Sequence, residues 1–144
     1  MARRRDPNEF LEGFGALRRC ITTIAQAAYA EIDLGSTQAK FVRHIGQKSR
    51  ISQAELARAT MTDPTLVGRV LSTLVERGLV RRQRSDEDRR EYVLELTAAG
   101  RRAQEKVEKL RAELAARMVA ALDERDLEDF ERITGKILAT FEAS

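Results

Sequence analysis

The segment from Ser52 to Gly78 restricts the fold more than any other part of the chain. Ser52-Gln-Ala-Glu55 is a capping box, in which the Ser and Glu side chains satisfy each other's orphan backbone donors at a helix start. It predicts a short helix to about Ala59, lined by Ala54, Leu56 and Ala57. Thr60-Met-Thr-Asp63 reads as a turn, and Pro64, with φ already set for helix entry, opens the next helix. That helix carries Leu66, Val67, Val70, Leu71, Leu74 and Val75, and Gly78 stops it. Two short helices about a tight turn form a helix-turn-helix, a layout that by itself is more often packing than DNA recognition.

The residues that follow favour recognition. Leu79-Val-Arg-Arg-Gln-Arg84 and Glu91-Tyr-Val-Leu-Glu-Leu96 alternate as strands do, and the polar stretch Ser85–Arg90 between them is a hairpin tip. A β-hairpin directly after a helix-turn-helix is a wing, and its tip carries Arg89 and Arg90, placed to enter a minor groove.

The flanks are helical. Phe10, Phe14, Leu17, Ile21, Ile24 and Ala28 form one stripe over about Asn8–Ala30, opened by Pro7. A second helix over about Thr37–Gln47, capped by Ser36, turns Phe41, Val42 and Ile45 inward. Ile51 suits a very short strand before the capping box. After the hairpin, Thr97 caps a long helix striped by Val107, Leu110, Leu114, Met118 and Leu122. Asp123, with Asp126 three residues on, caps a last helix bearing Leu127, Phe130, Ile133, Ile137, Leu138 and Phe141. Disorder is expected only at Met1–Arg5 and the last few residues.

The apolar stripes of the first and last helices lie outside the helix-turn-helix and wing. Packing them on one another and on a second copy predicts an interlocked homodimer, favoured over a monomeric bundle. The predicted fold class is mainly α with a small β-hairpin wing (α+β), a winged helix-turn-helix with dimerising terminal helices. Residues 1–34 form an N-terminal dimerisation helix, 35–100 the DNA-binding region and 101–144 the C-terminal dimerisation helices, within one structural domain.

Charge distribution supports a polyanion partner weakly. Lys/Arg exceed Asp/Glu by 8 to 5 over residues 1–49 and by 11 to 8 over 50–102, whereas residues 103–144 reverse the balance at 7 to 10. The basic N-terminus has no apolar run behind it, so neither a signal peptide nor a membrane span is expected. With one cysteine there is no internal disulfide, and a cytoplasmic setting is the expectation. No Gly-rich phosphate loop, metal motif or Ser/His/Asp arrangement suggests an enzyme or a cofactor.

The stretch Asp88-Arg-Arg-Glu-Tyr-Val-Leu-Glu-Leu-Thr-Ala-Ala-Gly100 resembles the wing signature of the MarR family of bacterial transcription regulators: Asp-x-Arg, a strand, then Leu-Thr-x-x-Gly. Ile51-Ser-Gln-Ala-Glu-Leu-Ala57 and Leu74-Val-Glu-Arg-Gly-Leu-Val80 fit the same pattern, and the resemblance covers nearly the whole chain. It implies a triangular homodimer on a pseudo-palindromic double-stranded DNA operator. It also implies repression relieved by a small effector, often aromatic and anionic, or by cysteine oxidation in one subgroup.

Carried over by residue, the resemblance makes Asp63–Arg77 the recognition helix, with Pro64, Thr65, Gly68, Arg69 and Ser72 on its solvent side. Family members usually carry a polar side chain, often Thr, where this chain has Gly68, so a base contact is lost there. Arg69 matches a family Arg and is expected on guanine or phosphate, against the plainer reading of an exposed Arg paired with a nearby acid. Asp88 and Arg90 match Asp-x-Arg, the carboxylate holding the guanidinium extended. The plainer reading is a hairpin-tip salt bridge. Arg84 and Arg89 are expected on phosphate.

Sensing residues are harder to read. Phe14, Arg18, Phe41 and His44 are named as lining an effector cavity, although His44 suits an exposed position better. His44 is the single histidine and has no cluster at ligand spacing, so it makes no metal site alone. Cys20 lies where the family's reactive thiols lie, in the first helix, but a buried structural role is expected for it. The rival reading from another class is a winged-helix module that docks protein without reading DNA.

Overall fold

A computed structural model describes residues 5–143 of the chain. The expected disorder of Met1–Arg5 falls, apart from Arg5, outside the described residues. By packing, the chain divides into two compact units, Met1–Leu110 and Arg111–Ser144.

The first unit begins with α1 (Pro7–Glu31). Asp6 caps it, accepting from the Asn8 backbone N–H at 2.9 Å, with Pro7 at the first position. Helix α2 (Ser36–Lys48) starts one residue earlier than expected. Ser36 is not its cap: Gly35 takes that place, extended at φ −71°, and Gln38 Oε1 accepts from its N–H at 3.0 Å. Glycine has no side chain to return the bond, so only half of a capping box forms.

Strand β1 (Ile51–Ser52) leads into α3 (Gln53–Thr60), and the capping box is present. Ser52 Oγ accepts from Glu55 N at 3.0 Å, and Glu55 Oε2 accepts from Ser52 N at 3.5 Å. Helix α4 (Pro64–Glu76) is capped by Asp63, whose Oδ1 accepts from Thr65 N and Leu66 N. It ends at Gly78, whose φ of +72° is a left-handed turn that favours glycine.

Strands β2 (Val80–Arg84) and β3 (Tyr92–Leu96) make the hairpin, each beginning one residue later than the sequence suggests. The sheet is antiparallel in the order β1-β3-β2, with Ile51 opposite Leu94 and Arg84 opposite Tyr92. Thr97 Oγ1 accepts from Gly100 N at 3.0 Å, opening α5 (Ala98–Val119), as its spacing predicts.

One core joins these elements. Phe41, Val42 and Ile45 of α2 meet Leu56 of α3, Val67, Leu71 and Leu74 of α4, Leu94 of β3 and Val107 of α5. All are essentially inaccessible to solvent. Burial of each such Leu, Ile, Val or Phe contributes about 1.5–3 kcal/mol. Tyr29 and Leu34 bring the C-terminal end of α1 and its connection to α2 into the same core. The N-terminal half of α1 is different, with Phe10, Leu11, Phe14 and Leu17 exposed.

The second unit holds the end of α5 and helix α6 (Glu124–Glu142). Asp123 caps α6 through Asp126, each side chain bonding the other's backbone N–H, at 2.8 and 3.0 Å. No α6 residue is buried, and Phe130, Ile133, Ile137, Leu138 and Phe141 stand exposed. The helix runs to Glu142, and Ser144 lies outside the described residues.

Candidate nucleic-acid interface

Helix α4 turns Val67, Leu71 and Leu74 into the core, so the 3.6-residue period presents the opposite side outward. Pro64, Thr65 and Arg69 are exposed there, while Gly68 and Ser72 are half-buried. Ser72 Oγ donates to the Gly68 carbonyl at 2.9 Å, committing its proton within the helix. Arg69 forms no ion pair among the described residues.

The wing tip is built by side chains that organise its turn. Ser85, buried despite its polarity, accepts at Oγ from Glu87 N (3.2 Å) and Asp88 N (3.3 Å). Ser85 N and Glu91 O close the hairpin at 2.9 Å, as do Glu91 N and Asp88 O. Asp88 Oδ1 then accepts from Arg90 N at 3.0 Å and Arg90 Nε at 3.4 Å. The Arg90 side chain nonetheless remains 94% exposed. It is held at its base and free at its tip.

Arg84 is differently engaged. Its Nη1 donates to the Arg89 carbonyl at 3.1 Å, and its guanidinium lies 4.1 Å from the Tyr92 ring centre. Arg82 lies 4.9 Å from the same ring. Arg84 is therefore tied into the wing itself. Arg89 is exposed and lends only its carbonyl to this arrangement.

Helix and wing meet at a groove of about 370 Å³. Ala54 and Ala57 of α3 line it, with Pro64 and Val67 of α4 and Arg90 and Tyr92 of the wing. Arg58 also lines it, at the end of α3. The groove thus brings the start of α4 and the tip of the wing to one concave surface with two cations, Arg58 and Arg90, and one carboxylate, Glu91. Arg58 escaped the sequence reading. Its position just before the Thr60–Asp63 turn was the available signal.

The remaining nominated residues lie elsewhere. Phe14 and Arg18 are exposed on α1, and His44 is half-buried on α2. Phe41 is fully buried among the core side chains, which corrects its expected place in the wall of an open cavity. Cys20 is exposed, which corrects the expected burial: its α1 position lies off the stripe, on the outward side of the helix. Among the described residues no helix is long and apolar enough to cross a membrane.

Comparison with known proteins agrees with this fold. The family model described as "MarR family" matches residues 34–92. A curated relative, the HTH-type transcriptional regulator BilQ of Clostridium symbiosum, is 32% identical over 103 residues, covering 72% of each chain. AbsC, a MarR family transcriptional regulator from Streptomyces coelicolor, is 20% identical with a TM-score of 0.83, over 99% of this chain and all of the other. Two DNA-bound structures share the fold. Streptococcus pneumoniae FabT in complex with DNA has a TM-score of 0.84 at 17% identity, covering 96% of this chain and 99% of that one. A cysteine-to-serine mutant of MarR from E. coli on operator DNA has 0.78 at 22%, covering 93% and 99%.

Proposed function

The chain belongs to the MarR family of transcriptional regulators, and we propose that it is a homodimeric repressor of a pseudo-palindromic double-stranded DNA operator. In this reading α4 lies in the major groove and the wing reaches the adjacent minor groove. The observation that carries it is the Asp88-held, otherwise exposed Arg90 at the groove shared with the start of α4. An arginine ordered in advance loses less side-chain freedom when it enters a narrow minor groove, where negative potential is concentrated. Residues 1–34 and 101–144 supply the dimerisation helices around a DNA-binding region over 35–100. Pro64, Thr65, Arg69 and Ser72 form the helix side of the contact, with Gly68 bringing backbone close. Arg89 and Arg90 form the wing side, and Arg84, held by Tyr92, supports them. The protein works in the cytoplasm, without catalysis of its own.

Titration of a fluorescent duplex from upstream of the chain's own gene, across salt concentrations, tests the reading. Nanomolar, competitor-resistant binding with a steep negative salt slope supports it. Binding no tighter than to random duplex at every candidate operator would favour a winged-helix module that docks protein instead.

Release by a small, aromatic, anionic effector is part of the proposal, with Phe14, Arg18 and His44 as the residues to substitute in an effector screen. The exposure of Cys20 favours a second mode of release, by thiol oxidation. Peroxide-dependent loss of DNA binding that Cys20→Ser abolishes would establish that mode.

A further inference from the structure

Gly68 leaves a gap in the outward strip of α4, between Thr65 and Ser72, and a residue of another helix stands at that gap. A Cβ built on Gly68 would meet one neighbour within 4 Å, Gln53 Nε2 at 3.7 Å. Gln53 is the first residue of α3, and its side chain lines the groove that α4 shares with Arg90. Its Oε1 is buried and has no hydrogen-bond partner among the described residues. The cap of α3 is made by Ser52 and Glu55, so Gln53 is not needed for it. In this conformation the acceptor is shut off from solvent as well as unpaired, so the carboxamide gains a hydrogen bond only by turning outward, past the side chain that position 68 lacks, to a partner beyond the protein. Buried polar atoms are otherwise nearly always paired within the protein.

We infer that Gln53 reads a base edge, crossing from α3 over Gly68 to make the contact that position 68 cannot. This rests on the DNA-binding reading above and adds a specificity residue to it. A carboxamide presents a donor and an acceptor side by side, which matches adenine N7 and N6 in the major groove. Gly68 and its neighbours Thr65 and Ser72 share one helix face, so the amide at Gly68 lies within the footprint of that face rather than at its rim. A base edge therefore fits better than a phosphate. The small residue at 68 is part of the device. A β-branched side chain there would occupy the volume through which the amide passes.

The test uses the full-length protein and a set of operator duplexes in which each base pair of the half-site is changed, symmetrically in both halves. Gln53→Ala should flatten discrimination at one position, by about tenfold per half-site, and leave the profile elsewhere unchanged. Gln53→Glu keeps the length but loses the N–H donors, and should lose the preference at the same position. Circular dichroism and the oligomer mass verify that both variants are folded. A uniform loss across all duplexes, as a phosphate contact gives, or an unchanged profile would overturn the inference while leaving the DNA-binding reading intact. A wild-type protein that discriminates at no position overturns both.

Discussion

Asp88 Oδ1 accepts from two groups of Arg90, the backbone N–H at 3.0 Å and Nε at 3.4 Å. The pair is two residues apart on a hairpin tip, and Arg90 is almost wholly exposed. In water such a pair contributes only about 0–1 kcal/mol to stability. Its value lies in restricting where the guanidinium can go.

Arg90→Ala should therefore weaken operator binding by about ten- to a hundredfold while the oligomer stays intact. Asp88→Ala retains the guanidinium but not its restraint, and should cost less, about three- to tenfold. Neither should move Tm by more than roughly 3 °C. Fluorescence anisotropy and a thermal melt on the same preparations check both halves. Wild-type affinity in Arg90→Ala would remove the wing from the interface.

Tyr92 supports the other wing arginine through its ring, 4.1 Å from the Arg84 guanidinium. Only the π face is needed for this, so Tyr92→Phe should bind DNA as the wild type does. Tyr92→Leu removes the ring and loosens Arg84, whose Nη1 also holds the Arg89 carbonyl. An exposed cation–π contact contributes about 0.5–1 kcal/mol, so operator affinity should fall by about two- to fivefold. Equal loss in both variants would place the effect in the hydroxyl instead.

Gly100 is where α5 begins against the entry to β2. A Cβ there would collide with the Leu79 carbonyl, a backbone group that also accepts from Thr97 N, and would press on Leu96 Cβ at 3.2 Å. The Leu79 backbone and a Cβ fixed to the Leu96 backbone cannot yield cheaply. Gly100→Ala should destabilise the protein by about 1–3 kcal/mol, lowering Tm by roughly 3–10 °C. Gly46→Ala is the control. Its Cβ would meet only the flexible end of Gln104, and alanine improves the helix. Its Tm should stay close to that of the wild type, and calorimetry decides between the two.

Local chemistry explains which parts of this fold were legible in the sequence. The Ser52–Glu55 and Asp123–Asp126 boxes, Pro64 at a helix start and Gly78 at a helix end act within four residues, so spacing alone reveals them. The Gly35 cap was hidden because its partner, Gln38, is a residue type found anywhere in helices. The pairing of Ile51 with Leu94 joins segments distant in the chain and leaves no periodic signal. At the site, Asp88 and Arg90 were readable as neighbours in a motif. Arg84 was expected on phosphate, and its hold on Tyr92 was not readable because the ring lies across the hairpin. Gln53 went unnoticed for the same reason: its meaning depends on Gly68, a residue of a different helix.

Helix α6 poses the largest imbalance in the molecule. It has an apolar stripe of Phe130, Ile133, Ile137, Leu138 and Phe141, and none of its residues is buried. Contiguous apolar surface of this extent on an exposed helix marks an interaction site. The exposed Phe10, Leu11, Phe14 and Leu17 of α1 make a second such face. If a second copy covers these faces, each large side chain there contributes about 1.5–3 kcal/mol to association. Replacing Phe130 and Leu138 together with Asp should then convert dimer to monomer at micromolar concentration, read by sedimentation velocity. The same variant should keep the core between Tyr29 and Val107 folded, since none of that core's residues comes from α6. Operator binding should fall by far more than in any single-contact variant, because two half-sites, about 10 bp apart centre to centre, would no longer be held by one molecule. A double Asp variant that still sediments as a dimer would assign the α6 stripe to something other than the second copy.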